Sequence, residues 1–226
     1  MNETPHILSS FDKALGTLRQ DIQRMAAITT ESLNDACRAL ARRDEAMCNR
    51  VIADDELVDD LEIQIDREGV NLMTRFMPLA HDFRRVFATM KVAADLERIC
   101  DQAVNIARRV KRLLQSPELS ESRMIEPIHV LAAALLQDSL RAFNDEDTEL
   151  ALGLKARDKE LDRAHKELIE RLTCRMEENP SQVQQYLDIV FIIRFLERAG
   201  DHAVNIGEDA VYAGTARDVR HEKSGV

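Results

Sequence analysis

Residues 96–106, LERICDQAVNI, and residues 196–206, LERAGDHAVNI, agree at eight of eleven positions at an offset of 100. Chance does not produce that agreement in one chain, so the sequence carries a duplicated unit. Upstream the match continues without gaps at an offset of 103, where Arg38, Ala39, Asp44, Ala53, Asp55 and Asp59 correspond to Arg141, Ala142, Asp147, Ala156, Asp158 and Asp162. The three-residue difference falls in the turn around Pro78. Whatever one half folds into, the other half must fold into as well.

The repeated unit is helical. Phe11, Leu15, Leu18, Ile22, Met25 and Ile28 recur at three- and four-residue spacing, which predicts a first helix capped by Ser9 or Ser10 and reaching about Ala41. Asp44 is placed to cap a second through Met47, Val51, Leu57, Leu61, Ile65 and Leu72, which Met77-Pro78 breaks. A third begins between Ala80 and Phe83 and runs to about Leu113. Residues 116–122 form a polar connector, and the pattern repeats: residues 124–143, then a helix opened by Asp145 or Asp147 and ended at Asn179-Pro180, then one from Ser181 to about Tyr212. The expected architecture is all-α, two tandem antiparallel three-helix bundles over residues 8–116 and 117–213, with a flexible tail over 214–226.

Charge and composition narrow the function classes. With 31 basic against 41 acidic residues the chain carries a net charge of −10, which opposes non-specific attraction to nucleic acid or anionic lipid. Cys37, Cys48, Cys100 and Cys174 form no CxxC pair and lie in helical runs, so they read as core thiols in a reducing compartment. No basic-then-apolar leader and no run of eighteen apolar residues is present, which suggests a soluble, cytoplasmic protein.

Acidic side chains are the most informative polar feature. Glu97, Asp101 and Asn105, and again Glu197, Asp201 and Asn205, are spaced by four and lie on one helix stripe. The preceding helix of each half carries a DxxxD step, Asp55 and Asp59 or Asp158 and Asp162. Antiparallel helices bring together residues equidistant from their turn. Asp55 with Asp101 and Asp59 with Glu97 are centred on Pro78; Asp158 with Asp201 and Asp162 with Glu197 are centred between Asn179 and Pro180.

Four carboxylates at one level repel, a pair at about 6 Å and an effective dielectric near 20 by roughly 3 kcal/mol. Arg98 and Arg198 offset this in part, yet four stripes in matching register favour bound metal ions over a merely solvated face. Hard oxygen donors suit iron, manganese, magnesium or calcium more than structural zinc. Asn105 and Asn205 are ligands or hydrogen-bond partners of ligands. Asp162 and His165 make half of a carboxylate–histidine di-iron step, but the position matching His165 is Glu62; His202 matches Gln102, and His81, His129 and His221 stand alone. No nucleophile and base are suitably spaced and no glycine-rich phosphate cradle is present, so a non-enzyme is expected.

Two tandem three-helix units with E/DxxxDxxxN stripes resemble the PhoU family of phosphate transport accessory and regulatory proteins. Pro78-Leu79-Ala80-His81-Asp82-Phe83-Arg84 is similar to the family's P-x-A-x-D-L-R signature, with phenylalanine in place of leucine. The resemblance implies a negative regulator of phosphate-starvation signalling. It would stand between the ATPase subunit of a phosphate ABC transporter and a sensor histidine kinase, reach the membrane only through these partners, and form homodimers or higher oligomers. It also implies metal clusters on the E/DxxxD stripes, their ions ranging over iron, manganese, magnesium, calcium and zinc. A di-metal carboxylate enzyme and a metal-free helical scaffold are the rival expectations.

Overall fold

The computed structural model describes residues 4–220 and consists of six long helices: α1 (Thr4–Arg42), α2 (Glu45–Phe76), α3 (Ala80–Leu114), α4 (Ile125–Asp145), α5 (Thr148–Glu178) and α6 (Val183–Thr215). Among the described residues there is no strand. Asp44 accepts a hydrogen bond from the Met47 N–H at 3.0 Å, and Asp147 one from the Leu150 N–H at 3.0 Å, so the same residue type starts the second helix of each half by satisfying a free amide. Met77 ends α2 in the left-handed region (φ 45°), after which Pro78 cannot continue the helix. Pro180–Gln182 form a single 3-10 turn, which moves the start of α6 two residues beyond the expected Ser181.

Other boundaries differ from expectation for local reasons. α1 runs through Ser9 and Ser10, so neither caps it. The connector is packed: Leu119 and Glu121 are buried around a 3-10 turn at Ser120–Met124, and Glu121 lies 3.3 Å from Arg175 Nε. Residues 214–220 are not a loose tail. α6 continues to Thr215, and Val219 is buried beside Ala151, Ala210 and Val211, its carbonyl accepting from Lys155 Nζ at 2.9 Å. One apolar residue in a polar stretch is enough to turn the chain back; residues 221–226 of the expected tail lie outside the described residues. Cys37, Cys48 and Cys100 are buried as expected, whereas Cys174 is exposed on α5.

Within each half the three helices pack on one another, α1, α2 and α3 or α4, α5 and α6. The halves are not independent bundles, because the most extensive helix pair in the molecule is α3 with α6 and one apolar core is continuous from Leu15 to Ile206. α5 also settles closely on α6. A Cβ on Gly200 would lie 2.2 Å from Leu161 Cδ2, and one on Gly207 2.4 Å from Leu154 Cδ1. The matching positions on α3 are Cys100 and Ala107, so the two hairpins differ in this respect.

Three buried aspartates cross the α3–α6 seam. Asp188 accepts from Arg109 at 2.8 Å, Asp209 pairs with Lys91, and Asp95 lies 2.9 Å from His202 Nδ1 and 3.2 Å from Asn205 Nδ2. The offset of 100 maps Lys91 to Phe191 and Asp209 to Arg109, and Arg109 stacks over the Phe191 ring at 4.0 Å. An ion pair at one end of the seam is thus replaced by a cation–π contact at the other.

Removing one partner of such a pair strands a buried charge. Arg109→Ala should lower unfolding free energy by about 2–4 kcal/mol, below the full cost of breaking a buried pair because Arg109 is 22% exposed and Arg112 remains 3.9 Å from Asp188. Arg109→Leu combined with Asp188→Leu should recover most of the loss in urea unfolding.

Candidate functional site

The hairpins carry the acids to one another. Because α2 and α3 run antiparallel from the Pro78 turn, Asp55 experiences the charges of Asp59 and Asp101, and Glu97 those of Asp101, Glu62 and Asp59. In the second hairpin Asp158 experiences Asp162, Asp201 and Glu197, while Glu197 and Asp201 each experience Asp162. All eight acids are therefore gathered, as two groups of four.

Each group sits at the rim of its helix pair. Asp55, Glu97, Asp158 and Glu197 are half-buried, whereas Asp59, Asp101, Asp162 and Asp201 are exposed. Burial raises the Glu97 carboxyl to about 7, with Asp101, Glu62 and Asp59 adding to it. Burial, then Asp162, Asp201 and Glu197, raises Asp158 to about 6. Asp55, Glu197 and Asp201 are raised as well, burial first in each. The compensating cations, Arg98 and Arg108 in the first group and Arg194 and Arg198 in the second, are exposed and oppose these shifts weakly.

Each group has a fifth member. Glu62 lies close enough to raise Glu97, and His165 close enough to lower Glu197 and Asp201. These positions match at the offset of 103 and stand three residues after Asp59 and Asp162, so they continue the same stripe. The three-residue step that offers half of a di-iron motif at Asp162 and His165 places both beside the acids.

The groups differ at their inner edge. Cys100 lies beside Asp55 and opposes the rise of its carboxyl. The position matching Cys100 is Gly200, and Asp158 Oδ1 is buried with no hydrogen-bond partner. Asn205 is not turned toward the acids: its Nδ2 donates to Asp95 across the α3–α6 seam. Asn105, its repeat mate, is half-buried at the equivalent position on α3. His202, which sequence spacing leaves without a role, joins the same seam through Asp95.

The donor set fits a hard cation. Four carboxylates in each hairpin lie near enough to feel one another's charge, their neutralising arginines are exposed, and a buried oxygen of Asp158 lacks a partner. The side chains oppose without closing: among the described residues no group of three or more His, Cys, Asp or Glu is already placed to hold an ion. Mutual repulsion favours such spreading, and rotation of exposed carboxylates such as Asp59 and Asp101 is the inexpensive way to close it.

Raised carboxyl groups make metal-free stability fall as pH rises. Below the ordinary values of 4.5 for Glu97 and 3.8 for Asp158 both groups are protonated in folded and unfolded chains and contribute nothing. Between those values and about 7 and about 6 the folded chain holds more protons, so stability declines with pH and levels off above the folded values. Chelator-treated protein should thus melt at a higher temperature near pH 6 than at pH 8, and Glu97→Gln should flatten the upper part of that slope.

Comparison with known proteins identifies the duplicated helical fold. Residues 22–110 and 125–210 each match the PhoU domain family. A "Phosphate-specific transport system accessory protein PhoU homolog" of Pseudomonas putida is 35% identical over 220 residues, 96% of this chain and 86% of that protein. The crystal structure of PhoU from Pseudomonas aeruginosa aligns with a TM-score of 0.88 at 32% identity, covering 92% of this chain and 100% of that one. The phosphate transport system regulatory protein PhoU from Streptococcus pneumoniae aligns at 0.84 and 26%, covering 92% and 99%. Matched in both repeats and along nearly its whole length, this chain belongs to the PhoU family.

Proposed function

We propose that this chain is a non-enzymatic regulator of phosphate transport that works in the cytoplasm as a metal-binding adaptor. In this reading it links the ATPase subunit of a phosphate ABC transporter to a sensor histidine kinase and holds phosphate-starvation signalling and phosphate uptake down. The accessory and regulatory roles named for its relatives support the phosphate connection. The observation that carries the metal half is the pair of opposed acid groups, repeated in both hairpins with an unpartnered inner oxygen in the second. Among the described residues no helix is long and apolar enough to cross a membrane, consistent with contact to the membrane through partners.

Asp55, Asp59, Glu97 and Asp101 would hold cations in the first hairpin, and Asp158, Asp162, Glu197 and Asp201 in the second. Iron, manganese, magnesium and calcium suit these oxygens, and His165 extends the second set toward iron, manganese or zinc. A bound ion supplies positive charge that neutralises the facing carboxylates and ties the two helices of a hairpin together. The acids on α2 and α5 then keep those helices at a fixed distance from α3 and α6. Outer surfaces of the two bundles would meet the partners, and the chain would act as a homodimer or higher oligomer.

Chain-borne ions are checked by elemental analysis of purified protein and by melting with and without chelator. An ion that binds only the folded chain raises its melting temperature, and chelation reverses the rise. Asp101→Asn should raise metal-free stability, by about 0.5–1 kcal/mol for an exposed like-charge contact, while reducing the response to metal. Melting unchanged on both counts would remove the metal half. Deletion of the gene should derepress phosphate uptake genes in phosphate-rich medium, and pull-downs from such cells should recover the ATPase and the kinase; recovery of neither would defeat the adaptor half.

A further inference from the structure

A second polar site lies away from the acid groups, where the two repeats meet. A cleft of about 160 Å³ opens between α1, α3, the end of α4 and the end of α6, and its lining includes Arg19, Gln23, Arg85, Thr89, Asn144 and Glu146. It is well below the roughly 300–1,000 Å³ of pockets that hold drug-sized ligands. Two guanidinium groups share it, in a chain whose net charge is −10.

The two arginines are not equally neutralised. Arg85 Nη1 pairs with Glu146 at 2.6 Å, and Glu146 is shared with His81 Nε2 at 3.2 Å. Arg19 has no carboxylate partner among the described residues. Burial holds the Arg85 guanidinium below its ordinary value and Arg19 pushes it the same way, with Glu146 and Asp82 opposing. The one carboxylate in the lining thus serves Arg85 and His81 and leaves Arg19 unmatched, in a concavity that also offers the amides of Gln23 and Asn144.

The duplication supplies an internal control, because the fold does not require this charge. The repeat-related cleft at the other end of the α1–α4 contact is lined by Leu40, Ala41, Ser122, Ile125 and Glu126. At the repeat offsets Arg19 becomes Ser122, Gln23 becomes Glu126 and Arg85 becomes Gln185. Glu146 becomes Arg43, which donates to the Leu114 and Ser116 carbonyls. Arg38 and Arg123 do line that cleft, but Glu118 and Glu126 share the lining with them. The same architecture is thus built without an excess of cations.

We infer that the cleft bounded by Arg19, Arg85, Gln23 and Asn144 binds a small multivalent oxyanion of phosphate or sulfate size. The guanidinium forks of Arg19 and Arg85 supply paired N–H donors suited to tetrahedral oxygens, and the side-chain amides supply neutral ones. The lining joins α1 and α3 of the first repeat to the α4–α5 turn and α6 of the second, so an occupant bridges the two halves. This assignment does not rest on the metal sites or on the adaptor reading.

The test is titration calorimetry on the full chain after chelator treatment, which prevents phosphate from riding on metal at the acid groups. Ionic strength is held constant with sodium chloride while inorganic phosphate, sulfate or adenosine monophosphate is added. Saturable binding of phosphate or sulfate is expected, with weaker binding of the nucleotide because the cleft is small. Arg19→Gln, an exposed residue whose loss should leave the fold intact, should weaken binding at least about tenfold, as loss of a charge-assisted contact implies. Arg85→Gln should do the same, and Glu146→Gln should tighten binding by removing the competing carboxylate. Absence of saturable binding, an affinity unchanged in Arg19→Gln, a weaker affinity in Glu146→Gln, or tighter binding of the nucleotide than of phosphate would each overturn the assignment.

Discussion

The contact between α3 and α6 is the constraint on which the rest of the molecule depends. Each is the third helix of its repeat, each buries a nearly continuous apolar stripe, and each packs on three other helices once the repeats are joined. Apolar burial drives this association but is indifferent to rotation and sliding. Asp95, Asp188 and Asp209 are not indifferent, since a buried carboxylate without its cation is costly. Only one alignment of the helices gives Lys91, Arg109 and His202 to those three acids at once. The hairpins then hang from a central pair whose register is already set, and the acid groups, the oxyanion cleft and the packed end of the chain take their positions from it.

The acid groups are the opposite kind of arrangement. Nothing in the folded chain rewards placing Asp55, Asp59, Glu97 and Asp101 together, and burial of Glu97 and Asp158 makes their ionised forms still less favourable. A hairpin that withstands such repulsion must be held by its core, and residues such as Val58, Leu61, Leu96 and Ile99, all at most 5% exposed, provide that hold directly beneath the acids. Burial first, and repulsion after it, therefore appear as an altered proton affinity rather than as a separation of the helices. In the proposed function the same groups would exchange protons for cations with little change in the backbone.

Much of this was legible in the residues themselves. A three-to-four spacing gives each helix its buried face, Asp44 and Asp147 announce two helix starts, and equidistance from Pro78 or Asn179-Pro180 pairs acids across a turn. These signals are local, or rest on one short turn. The α3–α6 seam rests on neither: a stripe shows that a face is buried, not what buries it, and Asn205 was read with the acid stripe because helical spacing alone cannot separate adjoining flanks. Arg19 and Arg85 are joined only by tertiary packing, so no periodicity connects them. Val219 and the exposed Cys174 were missed for a simpler reason, that a single residue gives no pattern to read.

Duplication fixes a backbone twice but leaves each copy free to change its side chains, and several of the differences fall where polar chemistry occurs. Cys100 faces Asp55 where Gly200 leaves Asp158 without a partner; Glu62 stands where His165 does; Lys91 stands where Phe191 does; Arg85 stands where Gln185 does. Core positions such as Ile22 and Ile125, Leu33 and Leu136, or Ile106 and Ile206 keep their identity. The copies thus share the constraint that shapes the helices while differing in the charge each site carries. The first acid group gains a carboxylate in Glu62, and the second gains an imidazole in His165. Two sites so different in charge and donor type have different affinities for any one cation. Were both groups to bind cations as proposed, a single folded scaffold would respond to cation concentration in two steps rather than one.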